Sequence, residues 1–240
     1  MAKTVTPFDF AACSAYMDSL LKQTSVTYSA EQLTKLTTLI EQLHTWNSAL
    51  NLTAIKDVKQ MVLLHVVDSA VVSPVLKSLP IAVHTVADVG TGAGFPGLVL
   101  AILHPELHFT LIDSVGKKLS FVRQMVAKLH LQNIELINKR CEDISHEPFD
   151  CIVSRAFAPL ERMVKWCLPL LKADGRFVAM KANLEEDELN DVKALSAITG
   201  SNADSSVSAV TIESIVPLQV PTLDATRQVV ILKRGSTPAL

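Results

Sequence analysis

Residues 86–97 read VADVGTGAGFPG: a short β-branched run carrying Asp88, then four glycines, Gly90, Gly92, Gly94 and Gly97, in eight positions. A buried strand running straight into glycines predicts a strand–loop–helix unit. Such a unit sets bare backbone N–H groups and a helix N-terminus at the carboxyl end of a sheet, where α/β proteins bind ligands. Glycine is needed wherever a Cβ would occupy ligand space or forbid a positive φ. Pro96 suits the first turn of the following helix. The spacing parses in two ways. Residues 92–97 fit the dinucleotide pattern G-x-G-x-x-G, and 88–94 fit an acid followed by G-x-G-x-G, the loop that cradles S-adenosylmethionine (SAM).

Around the loop the chain alternates strand-like and helix-length segments. VHTVADV (83–89), HFTLID (108–113), NIELIN (133–138), FDCIVS (149–154) and GRFVAM (175–180) read as buried strands joined by crossovers, which predicts a parallel sheet. VSAVTIESIVPL (207–218) and RQVVILK (227–233) have no helix between them and predict an antiparallel hairpin at one edge, seven strands in all. SNADSSVS (201–208) predicts a flexible loop. Upstream, Leu33, Leu36, Ile40, Leu43, Trp46 and Leu50 form one apolar stripe at helical spacing. Ser29, three before Gln32, offers it a capping box. A second helix is expected from about Val58 to Val72, with Pro74 and Pro80 at its exit. The expected layout is an N-terminal helical extension, 1–80, before a ligand-binding α/β core, 81–240, with helices on both faces of its sheet.

Both nucleotide parses want an acid after the second strand to take ribose hydroxyls, and Asp113 supplies it. Asp88 separates them, because dinucleotide loops usually carry an apolar residue there. The terminal hairpin also suits a SAM-dependent sheet, and too little chain follows for a dehydrogenase's substrate domain. SAM is therefore the expected ligand, cradled by Asp88, Gly90, Gly92 and Gly94.

Composition narrows the class further. Apolar residues make up 49% of 240, enough for a sizeable core. No run approaches the roughly 18 continuous apolar residues of a membrane span. The first 22 residues carry two acids and no signal-type apolar stretch. Cys13, Cys141, Cys151 and Cys167 are isolated, so reduced thiols, no metal and a cytoplasmic location are expected. Net charge is −2, but cations cluster from Val115 to Arg140 and from Arg155 to Lys181. These are either a basic face for a nucleic acid or ordinary solvated helix faces. No exposed heptad seam is seen, and a monomer is expected.

The fourth strand bears on the acceptor. Amine methylation of adenine or cytosine usually uses an Asn/Asp-Pro-Pro-aromatic loop here, and pyrimidine carbon-5 methylation uses a Pro-Cys nucleophile. FDCIVSRAFAPL has neither. An acceptor with a ready lone pair, such as guanine N7, needs no such apparatus. Catalysis then reduces to alignment, with Arg155 and Phe157 near the acceptor and no catalytic side chain. Phe157 is placed either to stack on a base or in the core. His65 and Asp68, three apart on an apolar helix, are expected either to hydrogen-bond each other and the sheet edge or to help close the SAM pocket. Lys181, ending the fifth strand, is expected either to meet RNA or substrate or to lie on the surface.

NLTAIKD (51–57), His65-x-x-Asp68-Ser69, DVGTGAGFPG (88–97), LIDSVGKKLSFVRQ (111–124), SRAFAPL (154–160) and VPLQVPTLDATRQVVILKR (216–234) occur together and in order. From about residue 46 to 234 the chain resembles the ribosomal RNA small subunit methyltransferase G family, also called glucose-inhibited division protein B. The resemblance implies a class I SAM-dependent methyltransferase with a Rossmann-like, seven-stranded, mostly parallel sheet. It implies N7 methylation of the guanine at rRNA position 527, in the 530 loop of bacterial 16S rRNA. It implies SAM contacts at Gly90, Phe95, Asp113, Ser114, Val115, Cys141, Glu142 and Arg155. Lys117, Lys118, Arg123 and Lys165 become candidates for phosphates of 16S rRNA or the small subunit. Another SAM-dependent RNA methyltransferase, or a SAM-binding regulator without catalysis, are the alternative readings.

Overall fold

A computed structural model describes residues 8–155, 158–198 and 210–234. Two helices open it, α1 (Phe10–Leu21) and α2 (Ala30–Leu50). Ser29 and Gln32 form the expected capping box at α2, side chain to backbone in both directions (3.1 and 2.8 Å). The Gln32 amide also donates to the Ile102 carbonyl at 2.8 Å, tying the start of α2 to the core.

The next helical stretch differs from the simple amphipathic helix its spacing predicts. It runs as α3 (Val58–Met61), a widened π turn (Val62–Val67), α4 (Asp68–Ala70) and α5 (Ser73–Ser78). Pro74 lies in the first turn of α5 rather than closing the helix. By length and mean hydropathy Val58–Ser78 is apolar enough to cross a membrane, which a search for unbroken apolar runs does not reveal. It is mostly buried within the fold.

The α/β part follows as β1 (Thr85–Val89), α6 (Gly97–Leu103), β2 (His108–Ile112), α7 (Gly116–Lys128), β3 (Ile134–Ile137) and β4 (Phe149–Arg155). It continues with α8 (Leu160–Cys167), β5 (Leu171–Lys181), α9 (Glu186–Ile198), β6 (Val210–Leu218) and β7 (Arg227–Arg234). The sheet order is β3-β2-β1-β4-β5-β7-β6, with the first five strands parallel and β7 antiparallel to both β5 and β6. All seven expected strands are present. β5 begins four residues earlier than its apolar run, and residues 201–208 lie outside those described. The order reverses at β1, where the chain steps to β2 and β3 and then returns to β4. That is the topological switch point where an α/β sheet opens a crevice at its strand ends.

Strand alternation assigns the two faces. Val86, Phe109, Leu111, Val153 and Val178 pack with α6 and α7 and with Met17, Leu36, Ile40, Val66 and Val67 of the N-terminal helices. Ala87, Val89, Ile152, Phe177 and Ala179 pack with Leu160, Met163 and Val164 of α8 and Val192 of α9. The N-terminal helices thus share one apolar core with a sheet face. The four cysteines are buried and unpaired.

The glycines of the loop do different work. A Cβ on Gly94 would lie 2.4 Å from Leu98 Cδ1, and its φ is +94°. A Cβ on Gly92, at φ +60°, would meet nothing closer than Lys118 Nζ at 3.9 Å. Gly92→Ala should therefore cost only the left-handed strain, about 1–2 kcal/mol. Gly94→Ala should add about 1–3 kcal/mol of overpacking. Urea denaturation of both variants measures the difference.

Candidate functional site

Between β1 and α6 the chain crosses the end of β2. The N–H groups of Gly90 and Thr91 donate to the Ile112 carbonyl at 2.9 and 3.0 Å, so the loop leans on β2. Asp88 holds its two ends. Its Oδ2 accepts from the Thr91 hydroxyl (2.6 Å) and from Gly97 N–H (2.8 Å), with the side chain wholly buried. Burial lifts its carboxyl to about 6, against the pull of those hydrogen bonds and of Arg155. Oδ1 has no partner among the described residues.

Asp113 sits at the lip. Its two oxygens accept from Gly92 N–H (2.8 Å) and Val115 N–H (2.7 Å), and its carbonyl accepts from the Asn138 amide (2.8 Å). Each carboxylate oxygen keeps a further lone pair for an outside donor. Open space beside Gly92 with an acid alongside is what a nucleoside with a ribose diol requires, and the residues present fit SAM.

A cavity of about 360 Å³ opens here. Gly90, Asp113, Ser114, Cys141 and Glu142 line it, five of the residues singled out from sequence. Val89 and Ile112 supply apolar wall. Val115 lies half-exposed beside it, where α7 begins. The Cys141 thiol is pushed up to about 12 by burial and by its contact with Glu142 (3.3 Å), so it stays protonated. Lys118, Lys139, Arg140 and Trp166 also line the cavity. Lys118 thus stands at the ligand cavity, although its charge alone suggested RNA. Trp166 carried no sequence signal beyond being an aromatic in a helix. A larger cavity, about 440 Å³, lies among α1, α2 and α3, away from the glycine loop.

Arg155 gathers a second group at the end of β4. Ser154 Oγ first clamps this strand end to β1 by donating to the Val89 carbonyl at 2.6 Å. The Arg155 guanidinium donates through Nη1 to the Leu64 carbonyl (2.8 Å), stands 3.6 Å from Asp68 Oδ2, and reaches His65 Nδ1 through Nη2 at 3.4 Å. Asp68 Oδ1 accepts from Arg227 Nε at 2.8 Å. The His65 ring stacks on Phe95, centroids 4.8 Å apart, and Arg155 lies 5.9 Å from the same Phe95 ring. His65 and Asp68 therefore do not bond each other, as the tie expected between them would require; both turn to Arg155. The π turn explains this, because it widens the helix where Leu64 and His65 face the strand.

A guanidinium only donates, so His65 Nδ1 is the acceptor and Nε2 carries the proton, directed at Thr53 Oγ1 (2.9 Å). Burial, reinforced by Arg155, drops the imidazole to about 3.

Lys117 and Arg123 are exposed on α7, and Lys165 on α8 pairs with Glu161 at 2.5 Å. Lys181 is mostly buried and bonds Glu188 at 2.7 Å, whose Oε1 also accepts from Leu160 N–H at 3.2 Å. Phe157 lies outside the described residues. Among the described residues no three His, Cys, Asp or Glu side chains gather as a metal site would require.

The two shifted groups act oppositely on stability. His65 binds a proton when unfolded but not when folded between about pH 3 and 6.5, so stability rises with pH across that window. Asp88 holds its proton longer when folded, so between about 3.8 and 6 it makes stability fall with rising pH. His65→Gln should lower the slope of unfolding free energy against pH by up to about 1.4 kcal/mol per unit. Urea titrations at pH 4, 5 and 6 read that slope independently of any constant loss.

A sequence model described as rRNA small subunit methyltransferase G matches residues 32–216. Ribosomal RNA small subunit methyltransferase G of Escherichia coli O17:K52:H18 (strain UMN026 / ExPEC) is 41% identical over 218 residues, 90% of this chain and 96% of that protein. The protein of the same name from Escherichia coli strain K12 / DH10B is 41% identical over 215 residues, 89% of this chain and 95% of its own length. Among solved structures, the S-adenosylmethionine-dependent methyltransferase SibL superposes with a TM-score of 0.53 at 16% identity, over 94% of this chain and 75% of that one. A ribosomal protein methylase from Lactobacillus delbrueckii subsp. bulgaricus gives 0.52 at 16% identity, over 70% and 79%. These two likenesses establish the class I methyltransferase fold, and the sequence matches establish more: the chain belongs to the rRNA small subunit methyltransferase G family.

Proposed function

We propose that the chain transfers the methyl group of SAM to N7 of a guanine in the 530 loop of 16S rRNA, the guanine at rRNA position 527. Asp113 carries the reading on the cofactor side. Its carboxylate is held by the N–H groups of Gly92 and Val115 at the lip of the cavity, set to receive ribose hydroxyls. Gly90, Gly92, Ser114, Val115, Cys141 and Glu142 surround the adenosine end in this reading. Asp88, Gly94 and Phe95 shape the loop from beneath, and Arg155 faces the methionine end and the acceptor. The bound cofactor supplies an electrophilic methyl on a sulfonium centre.

The protein's share of the reaction is alignment. Guanine N7 offers an in-plane lone pair, so its attack forms the N–C bond while the C–S pair returns to sulfur, and no proton is removed. The groups available suit that economy. Cys141 stays protonated, and both ring nitrogens of His65 are engaged by Arg155 and Thr53. Holding the two reactants in line is then the main source of acceleration.

Exposed cations, Lys117 and Arg123 on α7 with Lys139 and Arg140 beside the cavity, suit phosphate contacts that position RNA without reading its sequence. Lys165 joins them once freed from Glu161. The chain acts as a cytoplasmic monomer on rRNA or the small subunit. The exposed large apolar residues among those described, Phe10, Val115 and Ile215, lie on different elements, which supports that state.

Labelled SAM incubated with deproteinised rRNA and with small subunits should give N7-methylguanine, read by borohydride–aniline cleavage. A cleavage stop in the 530 loop is expected with one substrate or the other. No stop with either overturns the proposal, and SAM binding without methyl transfer identifies a regulator instead. A stop elsewhere in the rRNA points to a different RNA methyltransferase.

Asp113→Ala should weaken SAM about tenfold or more, the effect of losing a hydrogen bond to a charged group. Arg155→Ala should cut SAM affinity or turnover by a similar factor while the chain still folds, at a lower melting temperature because the Leu64 carbonyl and buried Asp68 lose a donor. Calorimetry and single-turnover assays check both, and unchanged activity would remove Arg155 from the site.

A further inference from the structure

We propose that Trp166 recognises the purine of the cofactor; this rests on the reading that the cavity beside the glycine loop takes the adenosine of SAM. The cavity has a polar and an apolar side. Asp113 and Ser114 provide the polar side, and Val89, Ile112 and Trp166 the apolar one. A ribose belongs against the first and a flat base against the second.

Trp166 sits at the edge of the core rather than inside it, packed against the cluster beneath the sheet yet only partly buried. Leu160, Met163, Val164 and Cys167 form the buried stripe of α8 and pack beneath the sheet. Trp166 falls at the flank of that stripe and is only partly buried. An indole partly exposed at a cavity wall presents a large planar apolar surface to that cavity. One turn earlier on the helix, the Arg162 guanidinium lies 5.7 Å from the indole ring, which restrains the ring.

The helix itself is also well anchored. The Leu160 N–H is capped by Glu188, and Glu188 is held in turn by Lys181. The indole is therefore presented to the cavity by a fixed support. Cys141 and Glu142 also line the cavity and could bond a purine edge through their backbone, but they offer no π face. Among the described residues, Trp166 is the aromatic one lining this cavity.

The chain has two tryptophans, Trp46 and Trp166. Trp46 lies on α2, edge-on to Phe121 at 5.9 Å. In Trp46→Phe, emission therefore reports Trp166 alone. Titration of this variant with SAM, and separately with S-adenosylhomocysteine, should shift or quench that emission saturably, with the dissociation constant found by calorimetry.

Trp166→Ala should weaken SAM about 5- to 150-fold, the range for losing one base–aromatic contact. Trp166→Phe should recover most of that loss. Because the contact is remote from the reacting methyl, KM for SAM should rise while kcat at saturating SAM stays within about twofold.

Each result bears on a different level. Calorimetric binding to Trp46→Phe with no change in emission, or Trp166→Ala binding SAM as the parent does, overturns the role of Trp166 and leaves the cofactor reading intact. An absence of SAM binding by the parent chain overturns both. Should Trp166→Ala fail to fold, the Trp46→Phe titration decides by itself.

Discussion

A carboxylate without solvent holds the glycine loop together. Asp88 takes the Thr91 hydroxyl at one end of the turn and the Gly97 N–H at the other through a single oxygen. Burying a charge is expensive unless hydrogen bonds or opposite charge compensate, and here the compensation is the turn itself. The cost shows in a carboxyl lifted to about 6. What the arrangement achieves is reach. The chain leaves β1, leans on the Ile112 carbonyl and enters α6 with Gly92 facing open space. Gly94 and Gly97 face packed atoms instead. One motif thus contains both a glycine kept bare for a ligand and glycines kept bare for packing, and only neighbouring atoms distinguish them.

The second dependency joins the two halves of the chain. Arg155 ends a strand of the sheet, yet its donors go to Leu64 and toward His65 and Asp68 in the N-terminal layer. Asp68 passes the tie to Arg227 at the start of β7. One carboxylate between two guanidiniums, each from a different strand, ties the end of the π turn to β4 and β7. The N-terminal helices are therefore tied to the end of β4 as well as packed into the core.

Sheet and loop were readable because their signals are local. β-branched runs bounded by turn residues marked every strand, and Ser29 with Gln32 marked the start of α2. Five proposed ligand residues line one cavity because they follow strand ends, and strand ends in a parallel sheet converge. The misses share a cause as well. The π turn leaves no trace in a pattern of threes and fours, so His65 and Asp68 looked like partners on one face. Whether they meet depends on one extra residue in the turn and on Arg155, ninety positions away along the chain. Trp166 was invisible for the same reason: its neighbours in the cavity come from β1, β2 and the segment after β3. Lys118 looked like any other cation on a basic helix until the space beside Gly92 was known.

The protonation states around the crevice limit what chemistry it can perform. His65 is the obvious base by residue type, but burial drops it to about 3, and its two nitrogens face Arg155 and Thr53. Cys141 is the obvious nucleophile, but burial and Glu142 keep its proton on. Asp88 has its proton affinity raised, but it lies under the loop with no exposure. These three groups are thus each occupied or walled off. A reaction needing deprotonation of its acceptor would be badly served here, whereas a lone pair already in place needs only to be held in line. With His65, Cys141 and Asp88 unable to move a proton, the arrangement is consistent with guanine N7 rather than with an exocyclic amine.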